Sequence, residues 1–242
     1  MESKLSGSTV ETNTRLTLVL PLAVVATAPS LGTLSALWWW PGSIGPIIYL
    51  ACKIVLYGIP SYALIRTFTR SVCAEGIYRG TRLPSLAFGV LSGAGISAFI
   101  LCLWFFFAKG RIDVSPLIDR MNESGMNQVG RYVAFGLWLS IGNSLLEEFV
   151  FRWFVDGKLR LLGFSNLWTI VISAAIFTIH HVLVLLAFFD TGPAMVFSCG
   201  IFAGGALWSW THMKWGSLIS GWISHALVDI AVLLVGFNIL FG

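Results

Sequence analysis

Long apolar stretches separated by short polar connections run through most of the chain. Seven of these stretches are long enough to cross a bilayer, for which a helix needs about 20 consecutive apolar residues. Most charged residues lie in the connections between them. The pattern predicts an all-α, polytopic membrane helical bundle of about seven transmembrane helices. The predicted spans are 16–37, 44–65, 86–107, 134–156, 166–188, 193–211 and 216–241.

The polar connections leave no room for a separate soluble domain. The longest are 66–85 and 108–131, whereas independently folding domains usually need about 50 residues or more. We therefore expect one integral membrane domain over residues 1–242. Within it, we expect the loop 108–131 to form an external cap.

Composition and charge agree with a multi-pass protein of the cell membrane. Hydrophobic residues make up 57% of the chain, charged residues 11%, and the mean hydropathy is +0.84, whereas soluble domains carry about 25% charged residues. The net charge is +4, but in a seven-span arrangement most basic residues fall on the side of the N-terminus. By the positive-inside rule, the N-terminus is then cytoplasmic and the C-terminus external. The basic residues thus indicate topology and not a nucleic-acid partner. On the N-terminal side they are Lys4, Arg15, Arg66, Arg70, Arg79, Arg82, Lys158, Arg160 and Lys214.

Three ionisable residues, Glu147, Glu148 and Arg152, lie within the fourth predicted span. A charged side chain at membrane depth costs a few kcal/mol on insertion scales, so it needs partners, a wet cavity or a chemical role. Glu148 and Arg152 are four residues apart and share a helix face, which allows an ion pair. Glu147 lies about 100° away around the helix axis. Without a local cation, Glu147 is the candidate general base.

Polar residues on two further spans can reach the depth of Glu147. The fifth span carries His180 and His181, and the seventh carries His225 and Asp229. At 1.5 Å per residue, Glu147 and His225 lie about 14 Å, and His181 about 22 Å, from the cytoplasmic ends of their spans. Helix tilt can absorb this difference, so the three groups can meet near the bilayer midplane.

Lys53 is a single cation within the second span. Its long side chain could extend to the membrane interface or pair with a carboxylate. The sequence leaves both readings open.

Three motifs occur in order on successive predicted helices: EExxxR, FxxxH and HxxxD. Together they resemble the family of CAAX prenyl endopeptidases and bacteriocin-processing intramembrane proteases. The resemblance covers about residues 136–233, which it marks as a catalytic core. The matching residues are Glu147, Glu148, Arg152, Phe177, His181, His225 and Asp229.

The resemblance implies a glutamic-type endopeptidase that needs no cofactor. Glu147 would act as general base on a water that His181 holds and polarises, while His225 and Asp229 would stabilise the tetrahedral oxyanion. Oxyanion stabilisation requires donors, so Asp229 must be protonated or must orient His225 as a donor. Glu148 and Arg152 would support the site. The FxxxH spacing selects His181 over His180, which lies about 100° away around the helix.

The resemblance also implies the partners: a membrane-anchored or lipidated protein or peptide substrate, within the lipid bilayer. Several alternatives stay open. Zinc could replace the general base, since the set of Glu147, His181, His225 and Asp229 includes suitable ligands, although no HExxH clamp is present. The chain could be a catalytically inert scaffold or regulator of the same fold, or a transporter that uses the buried acids as ion ligands. Glu148 with Arg152, and His225 with Asp229, could also serve only to stabilise helices.

Overall fold

A computed structural model describes residues 2–69 and 82–242, and the side chains of 16–66 and 82–242. Arg70 and Arg79 of the predicted cytoplasmic charges lie outside the described residues, as do the side chains of Lys4 and Arg15. Within the described ranges, every regular element is a helix. This confirms the predicted all-α class.

Ten α-helices follow one another along the described chain, and four short π-helical segments extend or join them. The α-helices are α1 (Glu2–Leu34), α2 (Gly45–Thr69), α3 (Leu83–Leu103), α4 (Ser115–Glu123), α5 (Val129–Leu137), α6 (Ser144–Glu148), α7 (Asp156–Leu161), α8 (Asn166–Phe188), α9 (Thr191–Trp215) and α10 (Leu218–Phe241). The π-helical segments are Ser35–Trp39, Trp104–Ala108, Trp138–Asn143 and Phe149–Val155.

Seven helices within the described ranges are long and apolar enough to cross a membrane. They confirm the seven predicted spans, and the chain is a multi-pass membrane protein. The fourth span is longer than predicted, because α5, α6 and α7 are joined by π-helical turns into one continuous helix. The spans are Leu16–Trp39, Gly45–Arg66, Leu83–Ala108, Val129–Leu161, Asn166–Phe188, Thr191–Trp215 and Leu218–Phe241. In the loop predicted as a cap, α4 packs against α8.

Small residues bring α3 and α10 into close contact. A Cβ on Gly93 would lie 2.8 Å from Ser224 Cα, and one on Gly89 would meet the backbone oxygen of Ser220. Ser220 Oγ in turn donates to the Ser85 carbonyl at 2.8 Å. Small residues allow membrane helices to approach this closely. The contact fixes the position of α10, which carries His225.

The main apolar cluster lies beside the charged residues of the fourth span. Phe151, which is fully buried, packs edge-to-face on Phe177 with ring centroids 5.0 Å apart. Trp208 of α9 also packs against Phe177, at 6.0 Å. Leu56 of α2 belongs to the same cluster. Side chains from α2, the fourth span, α8 and α9 therefore surround the ionisable residues with apolar groups.

Candidate active site

The two glutamates lie on α6, a short α-helical stretch between two π-helical segments. In a π-helical turn the hydrogen bonds run from residue i to i+5, so the turn is wider than in an α-helix and changes which side chains share a face. Such turns are rare and occur frequently at functional sites. The first segment ends at Asn143, and the second, Phe149–Val155, contains Arg152. The π-helical turns therefore determine the directions in which the polar side chains of this span point.

Glu148 and Arg152 form the predicted ion pair. Arg152 Nε lies 3.4 Å from Glu148 Oε2, and both side chains are almost completely buried. Arg152 Nη1 also donates to Ser209 Oγ at 2.8 Å, and Ser209 Oγ donates to Asp156 Oδ1 at 3.3 Å. The pair is thus part of a polar network that joins the fourth span to α9. Its contacts are of the kind that stabilises the helix bundle.

Glu148 also contacts His225 on α10. His225 Nδ1 lies 3.1 Å from Glu148 Oε1. An ionised carboxylate can only accept hydrogen bonds, so Nδ1 is the donor. The imidazole stacks on Trp208 with ring centroids 3.9 Å apart and planes 15° apart. Glu148 and Trp208 together fix the plane of the ring and direct Nε2 away from Glu148.

Asp229 approaches the other nitrogen of the same imidazole. Its Oδ1 lies 3.7 Å from His225 Nε2. The sequence hypothesis offered Asp229 as the carboxylate that orients His225, but the shorter contact, at 3.1 Å, is made by Glu148. Asp229 is therefore a neighbour of the reactive nitrogen, and Glu148 is the group that holds the ring.

Glu147 has a different set of neighbours. It accepts a hydrogen bond from Asn143 Nδ2 at 2.8 Å through Oε1. Its other oxygen, Oε2, lies 3.8 Å from His225 Nε2. This second separation exceeds a direct hydrogen bond, and it falls within the roughly 3 to 6 Å at which two groups can share one water. Glu147 thus has one oxygen held by an amide and one directed towards His225.

His181 is held by the backbone of its own helix. Its Nδ1 lies 2.8 Å from the carbonyl oxygen of Phe177. Because a carbonyl only accepts hydrogen bonds, Nδ1 carries the proton, and Nε2 keeps its lone pair in the neutral ring. The imidazole of His180 is also close, with ring centroids 3.9 Å apart. One potential ligand atom from each of Glu147, His180 and His181 lies within 4.8 Å of the others.

The structure therefore brings all four predicted catalytic side chains to one place. It also brings His180 there, although the FxxxH spacing pointed to His181 alone. Neighbouring residues on a helix can both approach a third group that lies between their two directions. The catalytic roles of these residues remain predictions.

Three of these side chains are close enough to hold one cation: Glu147, His180 and His181. An imidazole whose Nδ1–H is bonded to a carbonyl is the arrangement commonly seen in metal-binding histidines. This set differs from the zinc set considered from the sequence, in which His225 and Asp229 took part. His225 already uses Nδ1 to contact Glu148.

Sequence reasoning missed Asn143, and it left Lys53 undecided. Lys53 Nζ lies 3.3 Å from Asn143 Oδ1 and 3.1 Å from the Tyr57 hydroxyl. Lys53 therefore contacts two neutral side chains inside the bundle. A signal for Asn143 was present, since it precedes Glu147 by four residues and thus shares its helix face.

Comparison with known proteins identifies the region that carries the site. Residues 128–231 match the family model described as type II CAAX prenyl endopeptidase Rce1-like. Neither the curated proteins nor the solved structures gave a match. The matched region includes every candidate catalytic residue from Glu147 to Asp229, and α1, α2 and α3 lie outside it. A membrane protease of this family acts on a protein substrate in the bilayer. The resemblance inferred from the three motifs is confirmed: residues 128–231, somewhat under half of the chain, match the Rce1-like family model, and this match supports an intramembrane endopeptidase of the CAAX-protease type.

Proposed function

We propose that the chain is a glutamic-type endopeptidase that cleaves a membrane-proximal peptide bond with a water activated by Glu147. One observation carries this proposal: Glu147, His181 and His225, from three different spans, converge on one small space. Glu147 Oε2 lies 3.8 Å from His225 Nε2, and a Glu147 oxygen lies within 4.8 Å of a His181 nitrogen. Separations of this size allow a water to bridge the Glu147 carboxylate and a neighbouring imidazole.

The first chemical step is attack on the scissile carbonyl. Glu147 Oε2 accepts one proton of the water, and His181 Nε2 accepts a hydrogen bond from the other. The water oxygen then forms a bond to the carbonyl carbon, and the carbonyl oxygen becomes an oxyanion. General-base catalysis of this type typically contributes a factor of about 10² to 10⁴.

The second step requires a donor for the oxyanion. His225 is suited to this role in its doubly protonated form, in which Nδ1 donates to Glu148 and Nε2, which faces the reaction space, donates to the oxyanion. The Asp229 carboxyl oxygen lies 3.7 Å from Nε2 and is a polar neighbour of that nitrogen. Glu147 then transfers its proton to the nitrogen of the scissile bond. The C–N bond breaks, and the products are a carboxylic acid and an amine.

The family description points to a substrate that ends in a prenylated CAAX sequence. The direct test is cleavage of a farnesylated CAAX peptide by the purified protein in liposomes, with products identified by mass spectrometry. We expect Glu147→Gln to lower kcat by about 10³-fold or more, with an unchanged melting temperature in detergent. Wild-type rates in Glu147→Gln would contradict the proposal. Absence of cleavage by the wild type would favour an inert scaffold of the same fold.

A zinc-dependent protease is the second candidate, favoured by the spacing of Glu147, His180 and His181. Zinc would supply a Lewis acid and an activated water. Two substitutions separate the candidates, since both histidines are ligands in the zinc form and only His181 contacts the water in the glutamic form. We expect His181→Ala to abolish cleavage and His180→Ala to retain most of it, with no effect of chelators. Equal losses together with chelator inhibition would establish the zinc form.

We also propose that the chain acts as a single integral domain with a cytoplasmic N-terminus. The basic residues Arg66, Arg82, Lys158 and Arg160 support this orientation, because all four lie on one side of an alternating seven-span arrangement. Alkaline phosphatase fused after Gly242 should then be active, and the same reporter fused after Leu161 should be inactive. The reverse pattern would invert the topology.

A further inference from the structure

Lys53 and Tyr57 are polar residues of α2, which lies outside the matched region 128–231. Both are partly buried within the second span. A cation at this depth is costly unless it has partners. The partners found for Lys53 are the Tyr57 hydroxyl and Asn143 Oδ1, at 3.1 and 3.3 Å. Asn143 in turn contacts Glu147.

Lys53, Tyr57, Asn143 and Glu147 form a series of hydrogen bonds that ends at the carboxylate. The chemistry of the four side chains fixes which atom donates in each bond. An ammonium group can only donate, so both Tyr57 and Asn143 Oδ1 accept from Lys53. The Tyr57 hydroxyl is then free to donate to Asn143 Oδ1, which it does at 3.0 Å. With two donors on its oxygen, the Asn143 amide must present its nitrogen to the opposite side. That nitrogen donates to Glu147 Oε1 at 2.8 Å.

We infer that Lys53 and Tyr57 are positioning residues for the general base, acting through Asn143. This inference rests on the proposed function. A primary amide alone could turn over and present its oxygen to Glu147, which would repel a carboxylate oxygen. The two donors on α2 prevent this rotation. They keep Oε1 occupied and leave Oε2 directed towards His225 Nε2.

Through Lys53 and Tyr57, α2 thus contributes to the reaction rate, although α2 lies outside residues 128–231. A displacement of about 1 Å in a reacting group can cost about 100-fold in rate. Loss of the orienting chain should therefore lower kcat and leave substrate binding, measured as KM, nearly unchanged. A merely structural contact between α2 and the fourth span would lower the melting temperature and leave kcat intact.

The test is steady-state cleavage of the farnesylated CAAX peptide in liposomes by single variants of the full-length protein. We expect kcat to fall about 10- to 100-fold in Asn143→Leu and about 10-fold in Lys53→Met, with KM within about 3-fold of the wild type. Tyr57→Phe, which removes only the hydroxyl, should show a smaller loss. Lys53→Arg keeps a cationic donor and should restore most of the activity.

A double substitution distinguishes action through Asn143 from an independent effect. If Lys53 acts only through the amide, Lys53→Met combined with Asn143→Leu should be no slower than Asn143→Leu alone. Matched controls are Lys109→Met, at the exposed end of the third span, and Tyr62→Phe, an exposed tyrosine of α2. Both should keep wild-type kcat.

The outcomes separate this inference from the proposed function. Wild-type kcat in Lys53→Met and Asn143→Leu, alongside an inactive Glu147→Gln, overturns the inference and leaves the proposed function standing. Multiplicative losses in the double variant also overturn it, because they show independent roles. Full activity of Glu147→Gln overturns the proposed function and the inference with it. Recovery in Lys53→Arg together with a non-additive double variant supports the inference.

Discussion

Glu147 and Glu148 are adjacent in sequence and have opposite surroundings. Glu148 contacts Arg152 through one oxygen and His225 through the other, at 3.4 and 3.1 Å. Glu147 contacts the neutral amide of Asn143 through Oε1, and its Oε2 lies 3.8 Å from His225 Nε2. Both carboxylates are buried. The difference is that both oxygens of Glu148 contact side chains that it holds in place, whereas Oε2 of Glu147 is directed at the proposed reaction space.

This difference indicates how one helix can supply both a support and a reactive group. A carboxylate whose two oxygens already contact donors is well suited to hold other residues in place. A carboxylate with one oxygen directed at a small polar space can accept a proton from a bound water. The rotation of about 100° between successive helix positions separates the two neighbourhoods.

The largest effect is expected from exchanging the two glutamates for their isosteric amides. Glu148→Gln leaves Arg152 buried beside a neutral group, and removing one partner of a buried ion pair costs about 3 to 5 kcal/mol of unfolding free energy. The contact of Glu147 Oε2 with His225 Nε2 is longer, at 3.8 Å, so Glu147→Gln should change that free energy little. Unfolding in mixed detergent micelles, followed by circular dichroism, measures both variants. Equal losses would show that the two neighbourhoods do not differ in this way.

A smaller effect is expected from Gly221, which leaves space for Glu148. A Cβ at this position would lie 2.7 Å from Glu148 Oε2, so Gly221→Ala must displace the carboxylate or the backbone of α10. Overpacking of this kind typically costs about 1 to 3 kcal/mol. The matched control is Gly95→Ala on α3, where a Cβ meets nothing within 4 Å. Thermal unfolding of the two variants should separate them, and similar midpoints would contradict the geometry.

The smallest effect is expected at Asp229. Because Glu148 holds His225 Nδ1, Asp229 is needed only as a polar neighbour of Nε2. Asp229→Asn keeps a carbonyl oxygen at that place and should lower kcat by less than the factor of about 10² that follows loss of an oxyanion donor. Asp229→Leu should be slower than Asp229→Asn in the same peptide assay. If Asp229→Asn were as inactive as Glu147→Gln, Asp229 would have a direct role in the reaction.

The sequence predicted the parts of the fold and site that depend on spacing along one helix. Apolar length predicted seven spans, and the i, i+4 rule predicted the contacts of Glu148 with Arg152 and of His225 with Asp229. Which carboxylate meets which nitrogen of His225 could not be predicted. That choice depends on the rotation of α10 relative to the fourth span, and the π-helical turns alter it without an evident sequence signal.

For a related reason, the sequence could not decide whether Lys53 extends to the membrane interface or has partners inside the bundle. Its partners, Tyr57 and Asn143, lie on two different helices, and only the second belongs to the region that the three motifs cover. The spacing of Asn143 from Glu147 was visible in the sequence, but nothing there placed Asn143 beside Lys53. His180 illustrates the same limit, because a direction around one helix does not determine distance to a group on another.

The π-helical segments of the fourth span have a consequence for how the sequence of such a protein can diverge in evolution. Loss or gain of one residue within a helix turns everything beyond it by about 100° and moves it by only about 1.5 Å along the axis. A single-codon deletion inside the first π-helical segment, Trp138–Asn143, would thus shift the span by little along the membrane normal, turn Glu148 into the direction that Glu147 now has, and turn Glu147 away from His225. Lineages of such enzymes could gain or lose catalysis this way while retaining nearly every side chain.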